Sequence, residues 1–304
     1  MNEIINMFRK EFPYIDREEK TIIEILSNKN NNFIEKRDDK NNLIGISVVN
    51  KNTIIFFCVD EKYRNKGIGA KLLKESEDLI RNNGYTDIII GAGFDYLMPG
   101  VPTSKKYYDS VNECLANKVN DKASDFFEKR GYLHSWDCNC FDMKLELKNF
   151  NKFENVINDT IKNIKYRWAN ISDLQEIVEC ADDACQYQDT KFSKYYKNEQ
   201  LYQETNNQRV LVAEKDNRII GCIIVSVEVE AKDLGNVGCT CVRFSETHQG
   251  IGSNLVILGT RYLHDIGLKK ASLGYTYSGL DKMYGNAGYK ISCYYMMAKK
   301  DLKI

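Results

Sequence analysis

Apolar positions at the start of the chain recur at helical spacing. Ile4, Ile5 and Phe8 form one run and Ile22–Leu26 a second, so residues 1–27 are predicted to be helical. Strand-like runs follow at Asn32–Lys36, Leu43–Val49 and Thr53–Val59, separated by Asp, Asn and Lys turn clusters. Gly67 then opens a helix with Leu72, Leu73, Leu79 and Ile80 on one side, ended by Asn82-Asn83-Gly84. Asp87–Ile90 reads as a short buried strand. Ala123–Arg130 predicts a helix stopped at Gly131, and Tyr132–Leu147 has strand character throughout.

The same order then recurs. Ile164–Trp168 predicts a strand, Ser172 an N-cap for a helix reaching Cys185, and Ser193–Glu204 a further helix. Strands at Arg209–Ala213, Ile219–Val229 and Val237–Val242 lead to Gly250, where a helix runs to His264 and stops at Gly267. A strand at Lys270–Tyr277, a helix at Leu280–Asn286 ending before Gly288, and a last strand at Tyr289–Ala298 complete the pattern.

Gly67 and Gly250 stand 183 residues apart, and Gly131 and Gly288 stand 157 apart, so the first half carries 26 extra residues within 94–120. The chain reads as a duplicated α+β unit: residues 1–150, a polar linker at 151–163, and residues 164–304. The insertion opens with Gly93-Phe94-Asp95-Tyr96-Leu97-Met98-Pro99-Gly100-Val101-Pro102, which holds two of the three prolines. Rigid prolines beside aromatics predict a substrate-side lip rather than a plain solvent loop.

A length of 304 residues agrees with two domains of about 150. The 43 Lys and Arg balance the 43 Asp and Glu, which argues against broad electrostatic binding to nucleic acid or anionic membrane. No apolar run approaches the ~18–20 residues of a membrane span. Met1–Glu11 carries no signal-peptide core, so a cytoplasmic protein is expected. The ten cysteines then read as reduced, buried small hydrophobes rather than bridges. Cys138/Cys140 and Cys239/Cys241 would share a face if each pair lies on a strand. Neither spacing suits zinc, and His134, His248 and His264 are not spaced as paired ligands, so no metal site is expected.

Chemistry concentrates in the segment from Cys58 and Val59 through Arg64-Asn65-Lys66-Gly67-Ile68-Gly69-Ala70 to Leu73: a strand, a basic loop with two glycines, and an amphipathic helix. Free amides at the helix start, the helix dipole and the glycines make an anion site, to which Arg64 and Lys66 add charge suited to a diphosphate. A dinucleotide fingerprint would need a third glycine where Leu72 stands, although Asp87 lies 20 residues past Gly67. A tight turn before a helix is the plainer alternative.

The segment resembles the acetyl-CoA pyrophosphate loop of the GNAT N-acetyltransferase superfamily, whose pattern is Arg/Gln-x-x-Gly-x-Gly/Ala. The arrangement of elements around it resembles that family twice over. The resemblance implies two tandem GNAT-like domains, each a mixed, mostly antiparallel sheet flanked by helices, with acetyl-CoA as co-substrate. A second copy of the loop follows Val242, at His248-Gln249-Gly250-Ile251-Gly252-Ser253, with Thr247 in place of the family's Arg or Gln. The family commonly carries a tyrosine four residues before the helix-ending glycine, donating a proton to the departing thiolate. Here that register gives Tyr284 in the second half and Phe127 in the first, and phenylalanine donates no proton.

Direct attack by a neutral amine then needs an acceptor for its proton, with Glu228, Glu230, Asp95 and Glu61 as candidates, and a backbone N–H near Val59 or Val242 to polarise the carbonyl. The tyrosine pairs 107–108, 195–196 and 294–295 read either as pocket walls or as ordinary amphipathic faces. The expected activity is N-acetyl transfer to a small-molecule or peptide amine, by a monomer or a homodimer. The alternative is a non-catalytic CoA-binding, sensor or interaction protein with degenerate domains.

Overall fold

A computed structural model of the chain describes residues 1–15, 17–92, 96–109, 121–151, 163–186, 191–229, 231 and 233–302. These form two compact units. Among the described residues the first comprises 1–109, 121–141 and 292–302, and the second spans Asp142–Ile291. The units differ from the sequence halves at two places: residues 142–150 group with the second unit, and the last residues, from Ser292, group with the first. Of the insertion, 94–95 and 110–120 lie outside the described residues, as do 152–162 of the linker.

In the first unit, helices α1 (Asn2–Glu11) and α2 (Glu19–Leu26) precede strands β1 (Asn32–Arg37), β2 (Leu43–Asn50) and β3 (Thr53–Val59). Helix α3 (Ile68–Asn82) leads to β4 (Asp87–Ile90), β5 (Val101–Thr103), α4 (Lys122–Glu128), β6 (Leu133–His134) and the start of β7 (Cys140–Glu146). In the second unit come β8 (Ile164–Trp168), α5 (Leu174–Ala184), α6 (Ser193–Tyr196), β9 (Gln208–Lys215), β10 (Arg218–Val227), β11 (Leu234–Val242), α7 (Ile251–Asp265), β12 (Lys270–Tyr277) and α8 (Asp281–Gly285). Strands β13 (Lys290–Met296) and β14 (Ala298–Asp301) end the chain.

The strands lie in a six-stranded and an eight-stranded mixed sheet, flanked by helices: an α+β fold. The first is ordered β1-β2-β3-β4-β14-β6. β1, β2 and β3 are joined antiparallel and β3 runs parallel to β4. In the second unit β8, β9, β10 and β11 are likewise antiparallel neighbours, and β11 runs parallel to β12. Each unit has its own apolar core. Leu73 and Ile80 of α3 pack with Val49, Ile54, Ile88 and Ile90 in the first. Ile177 and Ala181 of α5 pack with Val210, Val212 and Ile219 in the second. Each such buried Leu, Ile or Val side chain contributes about 1.5–3 kcal/mol.

Several expected elements are divided by local polar chemistry. Asn170, not Ser172, caps the turn before α5: its side chain accepts from Ser172 N at 3.1 Å, and Asp173 returns the bond to Asn170 N at 2.9 Å. The helix predicted over Ser193–Glu204 is α6 and a separate 3-10 turn, Glu199–Tyr202. Asn198 takes an extended backbone between them and caps the second turn through Gln200 N. Tyr132–Leu147 divides into β6 and β7 at a turn closed by His134 Nε2 and the Cys138 carbonyl, 2.9 Å apart.

The strand predicted over Tyr289–Ala298 divides at Met297, where β13 passes to β14. Side chains of the first unit hold the backbone there. The Met297 amide donates to His134 Nδ1 (3.0 Å), and its carbonyl accepts from the amide and hydroxyl of Ser135 at 2.9 and 2.8 Å. Burial lowers the His134 pKa from its ordinary value, keeping the ring neutral so that Nδ1 can accept. A lowered folded-state pKa makes this contribution fully present above about pH 6.5 and lost as pH falls through the folded value. His134→Phe should cost about 1–2 kcal/mol at pH 7.5. In urea unfolding, the gap between variant and parent should close as pH is lowered from 7.5 to 5.

Candidate functional site

The two glycine loops have one backbone. A 3-10 turn at Glu61–Tyr63 corresponds to one at Phe244–Glu246. Asn65 and His248 both adopt the left-handed conformation (φ 61° and 62°), as do Gly67 and Gly250 (79° and 88°). Each glycine is the N-cap of its helix and offers no side-chain cap. The helical ladders begin with Lys71 N to Gly67 O and Asn254 N to Gly250 O, so the amides of Ile68, Gly69 and Ala70, and of Ile251, Gly252 and Ser253, precede them. These two triplets are ready anion donors. The helix starts lie close against the sheet because Gly45 and Gly221 lack a Cβ. One there would stand 3.0–3.1 Å from Ile68 and Leu72, or 3.1 Å from Ile251 and Leu255.

A carboxylate from the first long helix of each unit, α1 or α5, anchors each loop. In the first unit the nearly buried Glu11 (6% exposed side chain), at the end of α1, accepts from the Glu61 amide at 3.4 Å and pairs with Arg64 Nη2. Arg64 Nε also donates to the Val59 carbonyl (2.9 Å), and Lys10 pairs with Asp60 (2.6 Å). Arg64 therefore braces its own loop. Lys66 lies over the Tyr63 ring, 5.1 Å from its centroid. In the second unit Asp183 of α5 accepts from the Phe244 amide at 2.7 Å, the position equivalent to Glu61. Thr247 closes its turn on the Phe244 carbonyl (2.8 Å), while Gln249 and Lys215 both reach Glu246 at 3.1 and 3.2 Å. The buried Arg243 is tied to the Ile219 carbonyl at 2.7 Å.

Helices α4 and α8 pack equivalent residues on these helix starts. A Cβ on Gly69 would lie 3.5 Å from Phe126, and one on Gly252 2.7 Å from Met283 Sδ. The next residues differ chemically. Phe127 packs edge-on against Phe57 at 5.4 Å between centroids. Tyr284, 4% exposed, shares a 3.2 Å hydrogen bond with the Thr240 hydroxyl, and Thr240 stands in β11 where Phe57 stands in β3. Burial pushes the Tyr284 phenol up, and the bond to Thr240 works against that shift. At this level one copy has a hydrocarbon contact and the other a hydroxyl pair.

The proton-acceptor candidates do not gather there. Glu228 lies past the end of β10 remote from the loop, bonded to Asn236, while Glu61 is exposed in the first loop. Asp95 and Glu230 lie outside the described residues. Cys58 and Cys241 are buried at the strand ends before Val59 and Val242. Cys239 has φ 52°, so the expected shared face with Cys241 is interrupted by a kink. Among the described residues no cluster suits a metal ion, and no helix is long and apolar enough to cross a membrane. Sequence reasoning missed Glu11, Asp183 and Thr240. The first two are distant in sequence from the loops they hold, and a threonine inside an apolar strand carries no signal.

The model of the acetyltransferase (GNAT) family matches residues 1–95 and 174–284, more than half of the chain and one stretch in each half. The chain belongs to the GNAT acetyltransferase family. Solved structures give the same fold at low identity. A tandem GNAT protein from the clavulanic acid biosynthesis pathway matches with a TM-score of 0.69 and 12% identity, covering 100% of this chain and 95% of that one. A GCN5-related N-acetyltransferase from Sphaerobacter thermophilus matches with a TM-score of 0.69 and 14% identity, covering 99% and 92%. A GCN5-related glucosamine N-acetyltransferase region of a fungal multi-domain GH3 β-N-acetylglucosaminidase gives 0.71 and 18%, covering 98% of this chain and 36% of the fungal one. The chain thus spans about a third of that fungal protein. No curated protein matches significantly.

In this GNAT protein the first loop depends on one carboxylate for both an amide and a guanidinium. Glu11→Ala should destabilise the first unit by about 1–3 kcal/mol, the cost of unmet buried partners. In hydrogen exchange the loss of protection should be confined to the first loop, with the Phe244–Ser253 loop unchanged.

Proposed function

We propose that the protein transfers an acetyl group from acetyl-CoA to a primary amine by direct attack, with the chemistry in the C-terminal unit. The observation that carries this reading is the hydroxyl pair Tyr284–Thr240, set behind the free amides of the α7 start, where the N-terminal copy has only Phe127 and Phe57. The amides of Ile251, Gly252 and Ser253, with the loop from His248 and Gln249 to Gly250, would hold the diphosphate. Val242, the last residue of β11, would stand beside the thioester. The N-terminal loop, from Cys58 and Val59 through Arg64, Asn65, Lys66, Gly67, Ile68 and Gly69 to Ala70, keeps the same donor geometry and is a second candidate diphosphate site.

In this mechanism the neutral amine attacks the thioester carbonyl, forming a C–N bond as the C–S bond breaks. Tyr284 gives its proton to the sulfur, and the amine proton passes to solvent. Burial keeps the phenol protonated near neutral pH, and the Thr240 hydroxyl steadies the charge it acquires on donating. The acceptor class is a small-molecule or peptide amine. Support for the family-level activity comes from the GNAT match over both halves.

Acetyl-CoA turnover with a panel of primary amines, read as released thiol, tests the reading. Tyr284→Phe should lower kcat by about 10²-fold or more, the usual range for losing a general acid, with the acetyl-CoA Kd unchanged by calorimetry. Undiminished turnover would move the chemistry to the N-terminal unit. Binding of acetyl-CoA with no turnover of any amine would favour a non-catalytic CoA-binding protein, and no binding would overturn the proposal.

A further inference from the structure

Strands β11 and β12 run parallel and share their last rung at Asn236 and Ser272, whose side chains are bonded at 2.8 Å. Three residues beyond it each strand breaks in the same way. Cys239 and Tyr275 both take left-handed backbone, with φ 52° and 55°, and neither is a residue that adopts it readily. On the other side of β11 the register with β10 shifts between Cys222 and Ile224, so the Cys239 kink is also a bulge. One residue past the kinks stand Thr240, bonded to Tyr284, and Thr276, whose 95%-buried hydroxyl has no partner among the described residues.

A side chain from outside the strand pair holds each kink. The phenol of Tyr196, wholly buried on α6, donates to the Cys239 carbonyl, which the bulge takes out of the ladder. The buried carboxylate of Asp142 accepts from the Tyr275 amide at 2.7 Å. Burial pushes the Tyr196 phenol well up, so it is a donor at any pH near neutrality. Two strained residues at one level, each with its displaced backbone group taken by a buried side chain, indicate that their placement serves something other than the ladder.

We propose that Tyr196 and Asp142 are positioning residues of the C-terminal unit, pinning the two kinks so that the strand ends beyond them hold the Thr240 hydroxyl against Tyr284. The proposal rests on the acetyl-transfer reading given above. Neither residue touches the reacting atoms. In this assignment Asp142 works as a hydrogen-bond acceptor for the Tyr275 amide rather than through its charge.

The test joins kinetics to a readout that needs no turnover. In the ligand-free full chain, amide exchange should quicken within 234–242 in Tyr196→Phe and within 270–277 in Asp142→Ala, with other segments unchanged. Each variant should lose about tenfold in kcat while the acetyl-CoA Kd stays within about twofold, the loss of one well-placed hydrogen bond. Asp142→Asn keeps an acceptor oxygen and should restore both exchange and kcat.

Unchanged exchange in the two segments would overturn the proposal. So would quickened exchange throughout the unit, which would mark a general packing role. An Asp142→Asn variant as inactive as Asp142→Ala would make the charge the working feature and overturn the assignment of Asp142. Failure of the parent protein to bind acetyl-CoA or release thiol would instead sink the acetyl-transfer reading, leaving the exchange result to decide the pins.

Discussion

A helix that begins on a left-handed glycine has no side-chain cap, so its first turn must be fixed by the loop that delivers it. That constraint organises each unit. Gly67 and Gly250 turn the chain through a conformation that a Cβ would strain, which leaves three amides at each helix start without intrahelical partners. The loops keep their path because a carboxylate of α1 or α5, Glu11 or Asp183, takes the first amide of the 3-10 turn. The glycines at 45 and 221 then let the new helix lie against the sheet, and α4 and α8 close on it from the side. Removing the loop geometry would misplace every later contact, including the one between Tyr284 and Thr240.

The loops, the long helices, most strands and the duplication were legible because they rest on local signals: glycine punctuation, apolar period and the two constant offsets between copies. The places where the sequence misled are places where a polar side chain overrides the pattern. Cys293–Ala298 is apolar throughout, yet His134 and Ser135 hold Met297 apart and divide the run between β13 and β14. Asn198 interrupts the run from Ser193 in the same manner. The register that marked Tyr284 came from the family resemblance. Its partner Thr240 depends on a strand contact 44 residues away, which no local pattern records.

The two copies share a backbone and have diverged in where they spend polar groups. In the first, the loop is braced from both sides: Arg64 is held by Glu11 and the Val59 carbonyl, and Asp60 by Lys10 of α1. The interior at Phe57 and Phe127 is hydrocarbon, so behind its braced loop that copy places no titratable group at this level. In the second, Thr247 replaces the arginine and closes its own turn, while hydroxyls occupy the interior level and a kinked, pinned pair of strands lies beside them. A well-braced loop is a stability feature, whereas on the proposed reading a phenol kept protonated by burial and touched by one hydroxyl is a chemical one. The matching of arginine to the family pattern therefore says less about where reaction occurs than the polarity of the layer behind the loop. That layer, with its buried hydroxyl pair and left-handed backbone, is what supports the proposal that the chemistry lies in the C-terminal unit.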